Sequence, residues 1–209
     1  MEGYPPPPIP SAASGLEALR RAAAGCQACD LYRDATQTVF GEGATGAELM
    51  LIGEQPGDRE DQTGAPFVGP AGELLDRALA DAGIDRRRAY VTNVVKHFKW
   101  KPRGKRRLHQ KPNREEVDAC RPWLHAEIAR VEPRAIVCLG ATAAQALISG
   151  SFRVTRQHGQ LQPSAMGPPI GATIHPSAAL HAPDAAAREA MYAQLVDDLR
   201  AFRGATLGA

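Results

Sequence analysis

The chain has 209 residues, 44% hydrophobic and 23% charged, with a mean hydropathy of −0.30. That length admits one generous domain or two small ones, the composition is too apolar for disorder, and no apolar run approaches the ~20 residues of a membrane span. A net charge of +2 hides an asymmetry: eight of the 25 Lys and Arg lie between Lys96 and Lys111 with no acid among them, leaving 17 against 23 acidic residues elsewhere.

Residues 1–12 form a Pro-rich stretch, expected to be extended and poorly ordered, ahead of a single domain over 13–209. Its start lacks the basic-then-apolar layout of a secretory signal, so a cytoplasmic location is expected. Ser14 to Ala24 has helical spacing through Leu16, Leu19 and Ala23. AELMLIG from Ala47 reads as a buried strand, and GEQPG after it as a loop. Pro70 to Gly83 is an amphipathic helix with Pro at its start. AYVTNVV from Ala89 is a second strand, and Asn113 to Val131 a helix capped by Asn113. RAIVCLG is a third strand with ATAAQALI as the helix behind it. PIGATIHPS supplies a fourth strand, and Asp184 to Arg203 a closing helix. Alternating strands and helices predict a three-layer α/β/α sandwich around a mostly parallel four-stranded sheet. In such folds chemistry gathers in the loops after the carboxyl ends of the strands, and here those loops are GEQPG, TNVVKHFK, GATAA and HPS.

Four cysteines in a reducing compartment point to metal or redox chemistry rather than bridges. Cys26 and Cys29 form a C-x2-C, and Cys120 and Cys138 follow with seventeen residues between them. Four thiolates suit zinc or an iron–sulfur cluster, although Cys138 also fits a buried strand as a small hydrophobe. The Lys96–Lys111 segment, with Phe98 and Trp100 among its cations, has the pattern of a single-strand stacking surface. It equally fits a solvated loop or a basic localisation run. GEQPG lacks the glycines and lysine of a nucleotide-binding loop, so it is either a tight turn or a close approach of backbone to ligand.

Taken together, GEQPGDREDQTGAPFVGPAG from Gly53, TNVVK around Asn93, CRPWL at Cys120 and HPS at His175 resemble the iron–sulfur uracil-DNA glycosylases. The resemblance runs from about Gly25 to Arg200. Two departures narrow it. Gln55 stands where the family has alanine, and a basic insertion ends in Lys105-Arg106-Arg107-Leu108-His109. Both are similar to the UdgX branch, whose members become covalently attached to uracil-containing DNA. The resemblance implies a [4Fe-4S] cluster on Cys26, Cys29, Cys120 and Cys138. It implies Phe67 stacked on a flipped uracil, Asn93 reading its O4 and N3–H, and His175, with the amides around Gln55, at O2. Gly53, Asp58 and Asp61 join the substrate loop. His109 becomes the nucleophile that replaces water, oriented by Glu54. Lys105, Arg106, Arg107 and Ser177 are assigned to DNA, with Arg107 holding the loop closed or meeting phosphate. His97, His125, His158 and His181 receive no catalytic role. The expected partner of this monomer is uracil-containing DNA, single-stranded or duplex, with no membrane. The alternatives are a multiple-turnover glycosylase whose basic insertion only binds DNA, and a non-catalytic uracil-DNA binding module.

Overall fold

The computed structural model describes residues 4–207. Four apolar runs become parallel strands: β2 (Leu49–Gly53), β3 (Ala89–Asn93), β6 (Ala135–Leu139) and β7 (Ile170–Thr173), each buried along its whole length. Burial on both faces is why they read as continuous rather than alternating hydrophobic stretches. Residue alternation still divides the core. Met50, Ile52, Tyr90, Ile136 and Cys138 face one side, toward α1 (Leu16–Ala24), α4 (Arg114–Val131) and α5 (Ala141–Leu147). Leu49, Leu51, Val91, Val137 and Leu139 face the other, toward α3 (Pro70–Asp81), α6 (Pro176–Leu180) and α7 (Ala185–Leu207). Asn113 caps α4 as expected: its side chain accepts from the Glu116 amide at 2.8 Å, and Glu116 returns the bond at 2.7 Å.

The sheet has five strands, not four, in the order β1-β3-β2-β6-β7. The added edge strand, β1 (Glu42–Gly43), runs antiparallel to β3 and is two residues long. A pair of residues carries no periodicity to read. Two further elements were expected as loop. DREDQT forms α2 (Asp58–Thr63). The basic insertion folds as a hairpin off the sheet, β4 (Trp100–Arg103) against β5 (Arg106–His109), with Trp100 opposite His109. Its two-residue turn places Gly104 at φ +59°, the left-handed conformation that tight hairpins require. The Pro-rich segment lies against the body from Tyr4 onward, with Pro7 buried. Arg130 of α4 donates to the carbonyls of Pro10, Ser11 and Ser14 at 2.8–3.0 Å. Among the described residues no helix is long and apolar enough to cross a membrane.

Candidate active site

A cavity of about 330 Å³ opens at the carboxyl ends of the parallel strands. It gathers residues from all four predicted loops and from the hairpin: Glu54, Gln55, Phe67, Asn93, His109 and His175 among them. Asn93 ends β3 opposite Gly53 and is only 3% exposed. Its carboxamide has no hydrogen-bond partner among the described residues, and so faces the cavity with donor and acceptor both free. Gly53 is glycine for a steric reason. A Cβ there would overlap Asn93 Oδ1 and stand 2.7 Å from Phe67 Cζ. Phe67 itself sits at φ 56°, a conformation that costs a non-glycine residue ~1 kcal/mol or more. Glu60, buried in α2, ties the start of that helix to the end of the Phe67 loop by accepting from the Gly57 and Gly69 amides at 3.1 and 2.8 Å.

His175 opens α6, and its ring lies 6.1 Å from the Phe67 ring. Its Nδ1 accepts from the Ser177 amide at 3.2 Å and meets the Ser177 hydroxyl at 2.7 Å. The neutral ring therefore carries its proton on Nε2, where it can be donated to a ligand. Burial, and then the neighbouring His109, push the His175 pKa down to about 4, so the ring is neutral at neutral pH. Ser177, assigned to DNA, makes this contact and lines the cavity.

His109, at the end of β5, has a half-exposed side chain. Its Nε2 lies 3.5 Å from Glu54 Oε1. The other Glu54 oxygen accepts from the Thr142 hydroxyl. Glu54 and His109 are thus brought side by side, with Thr142 on the other carboxylate oxygen. Gln55 lines the cavity, and its side chain has a part of its own. Its amide donates to the carbonyls of Lys99 and Gln110 at 3.2 and 3.1 Å, and its oxygen accepts from the Lys99 amide at 3.2 Å. That side chain clamps the two legs of the hairpin that carries His109.

The basic segment is not one surface. Lys96 is fully buried against Glu127, and Lys99 pairs with Glu116 at 2.8 Å. Arg107 binds Asp58 at 2.5 Å and the fully buried Asp61 at 2.6 Å. Arg107 therefore closes the hairpin onto α2, and Asp58 and Asp61, expected in the substrate loop, answer it and do not line the cavity. The cause is plain charge attraction between an acidic helix and a basic hairpin. Phe98 is 1% exposed, and the Trp100 indole donates to the Asp34 carbonyl at 2.9 Å with Arg107 over its ring. Neither ring is a free stacking platform. Lys101, Arg103, Lys105, Arg106 and Lys111 remain exposed, with no ion pair among the described residues.

All four cysteines are free, buried and part of the apolar cluster on one face of the sheet. The Trp123 indole donates to Cys26 Sγ at 3.1 Å, and the Lys96 amide to Cys120 Sγ at 3.3 Å. Burial pushes the thiols of Cys29 and Cys138 up, and that of Cys120 up to about 12. Thiols in such a place ionise only for a cationic guest, and N–H donors aimed at sulfur suit thiolates. Among the described residues no three His, Cys, Asp or Glu gather closely enough to hold one ion. A polynuclear cluster has a different demand, with its thiolates spread around a body.

Residues 40–200 match the family described as the uracil DNA glycosylase superfamily. The chain belongs to that superfamily. It is 35% identical to the type-4 uracil-DNA glycosylase of Pyrobaculum aerophilum, over 92% of this chain and 95% of the relative. It is 39% identical to that of Thermotoga maritima over 73% of this chain and 76% of the relative, and 41% identical to that of Archaeoglobus fulgidus over 62% of each. Three contributors escaped the sequence: Thr142, Glu60 and the Lys96–Glu127 pair. Thr142 lies in the GATAA loop, which marked the place but not the residue. Glu60 stands three residues after Gly57, a capping-box spacing that marks a helix start. Nothing local points to Glu127.

Proposed function

We propose that this protein excises uracil from DNA and ends the reaction bonded to it through His109. The observation that carries the reading is one cavity holding an unpartnered Asn93 amide, the Phe67 and His175 rings, and, on its rim, His109 beside Glu54. A flipped uracil would stack on Phe67, accept at O4 from the Asn93 amide and donate N3–H to its oxygen, a pattern cytosine reverses. As the C1′–N1 bond breaks, its electron pair leaves with the base, and the negative charge gathering at O2 meets the His175 Nε2–H. The positive charge left on the sugar faces the Glu54 carboxylate. An imidazole nitrogen of His109 gives its lone pair to C1′, and the ring then loses its other proton to the uracil anion. Neutral uracil and a protein–DNA bond are the products.

Cys26, Cys29, Cys120 and Cys138 would hold a [4Fe-4S] cluster, which supplies a cross-link between the N-terminal segment, α4 and β6. Four irons per chain are expected in anaerobically purified protein, and stoichiometric zinc instead would refute the assignment. The substrate fits a monomer, with DNA as single strand or duplex, acting in the cytoplasm. The relatives' type-4 names favour a second reading, ordinary turnover with water at C1′. A denaturing gel with uracil-containing oligonucleotide separates the two. The native chain should give a shifted, denaturant-resistant band, and His109→Gly should give none while releasing uracil over many turnovers. A shifted band from His109→Gly would remove His109 as the nucleophile.

A further inference from the structure

Lys96 lies beneath the site with no exposed surface. Its ammonium donates to Glu127 Oε2 at 2.5 Å, Thr92 Oγ1 at 2.6 Å and the Asn93 carbonyl at 2.8 Å, three acceptors for three protons. Its own amide donates to Cys120 Sγ. Glu127 is saturated as well, accepting from the Gly41 amide, the Tyr90 hydroxyl and the Thr92 hydroxyl at 2.8–3.1 Å. Cys120 and Glu127 stand seven residues apart on α4, on one buried stripe. One residue therefore staples the turn after β3 to two points of that helix.

A buried ion pair is poor evidence for stability, since well-packed apolar residues often serve as well. Its location suggests what an apolar pair would not supply. Asn93 is buried, yet its carboxamide is unbonded. Left to itself, a carboxamide with no protein partner turns toward any nearby acceptor or donor. A given Asn93 rotamer aims into the cavity only while the backbone that carries it is fixed, and the Lys96 ammonium holds its carbonyl. The following amides are fixed too: Val94 donates to the Gly53 carbonyl at 2.9 Å and Val95 to that of Glu54 at 3.0 Å. We infer that Lys96 is a positioning residue for base recognition: neutralised by Glu127, it locks the Asn93 carbonyl so that the Asn93 amide stays unpaired and aimed into the cavity. This rests on the reading of Asn93 as the uracil reader.

The test is Lys96→Met/Glu127→Gln, which removes both charges and leaves an acceptor for Gly41, Tyr90 and Thr92. Affinity is measured for free uracil and, separately, for a uracil-free oligonucleotide. Uracil binding should weaken at least about tenfold, the loss of one good hydrogen bond, while the oligonucleotide changes by less than about twofold. A merely structural pair would move both together. Unchanged uracil affinity, or an equal loss in both, overturns the inference. If the double variant does not fold, Glu127→Gln alone must show the same selective loss in smaller measure, and its absence is equally decisive. Asn93→Asp in the native background separates the two claims. If it leaves uracil affinity intact, the reading of Asn93 fails; if it weakens binding and the Lys96 variants do not, only the positioning role falls.

Discussion

The inner and outer cations of the Lys96–Lys111 segment are alike in sequence and opposite in use. Lys96, Lys99 and Arg107 each meet a carboxylate, whereas Lys101, Arg103, Lys105, Arg106 and Lys111 stand exposed without one among the described residues. The inner group builds the site: it fixes the strand end, the start of α4 and the seat of the hairpin. The outer group projects a positive tip from a body whose remaining charge is acidic. A charge run in a sequence is thus a mixture of struts and contacts, and only the acids that answer it tell them apart.

Breaking the strongest strut should have the largest effect. Arg107→Ala leaves Asp61 buried without its cation, which should cost roughly 3 kcal/mol of stability. It also unseats the hairpin, so adduct formation should slow about tenfold or more at unchanged Glu54 and His109, as expected when a reacting group loses its alignment. Denaturant titration and a gel time course read the two losses. Native-like adduct kinetics would mean that the Gln55 clamp alone seats His109.

The outer group should give the converse result. Lys105→Ala/Arg106→Ala should reduce the slope of log K against log salt by about 1.4 on single strands or about 1.8 on duplex, with stability changed by less than about 0.5 kcal/mol. Lys99→Ala should do the opposite, lowering stability and leaving the slope alone. Equal slope changes from the two would erase the distinction between strut and contact.

The difference between the groups also marks what a sequence can reveal. The four core strands were legible because burial on both faces demands unbroken apolar runs, and the site loops were legible because they follow those strands. Asn93, Phe67, His175, Glu54 and His109 accordingly meet in one cavity. α2 was not legible, since its buried residues are Glu60 and Asp61, charges held inside by partners from elsewhere in the chain. The same holds for Thr142, 88 residues from Glu54, and for Glu127, 31 from Lys96. Gln55 was singled out as a departure from the family pattern, but its use depended on where a hairpin whose flanks lie 44 and 55 residues downstream would land.

Acid should distinguish the two groups once more. His97 sits in the inner half, 4% exposed, its Nε2 2.9 Å from the Thr38 hydroxyl. Burial pushes its pKa down to about 4, partly opposed by Asp61. Above pH 6.5 the folded and unfolded chains carry the same proton count there, and His97 contributes nothing to pH dependence. Below it the unfolded ring takes a proton that the folded ring refuses until about pH 4, so stability falls as pH falls through that window. The loss should reach about 2 kcal/mol at pH 5 and about 3 kcal/mol near pH 4. His175, displaced in the same direction, adds to the slope and keeps some acid sensitivity in any His97 variant. His97→Gln retains a partner for Thr38 and cannot titrate. Its unfolding free energy should therefore drop less than the native protein's between pH 7 and pH 5, by about 2 kcal/mol in a denaturant titration. Lys105→Ala/Arg106→Ala should follow the native curve throughout, because exposed cations hold their protons in both states. Parallel curves for His97→Gln and the native chain would show that acid acts elsewhere, and that the inner half owes its order to charge pairing alone.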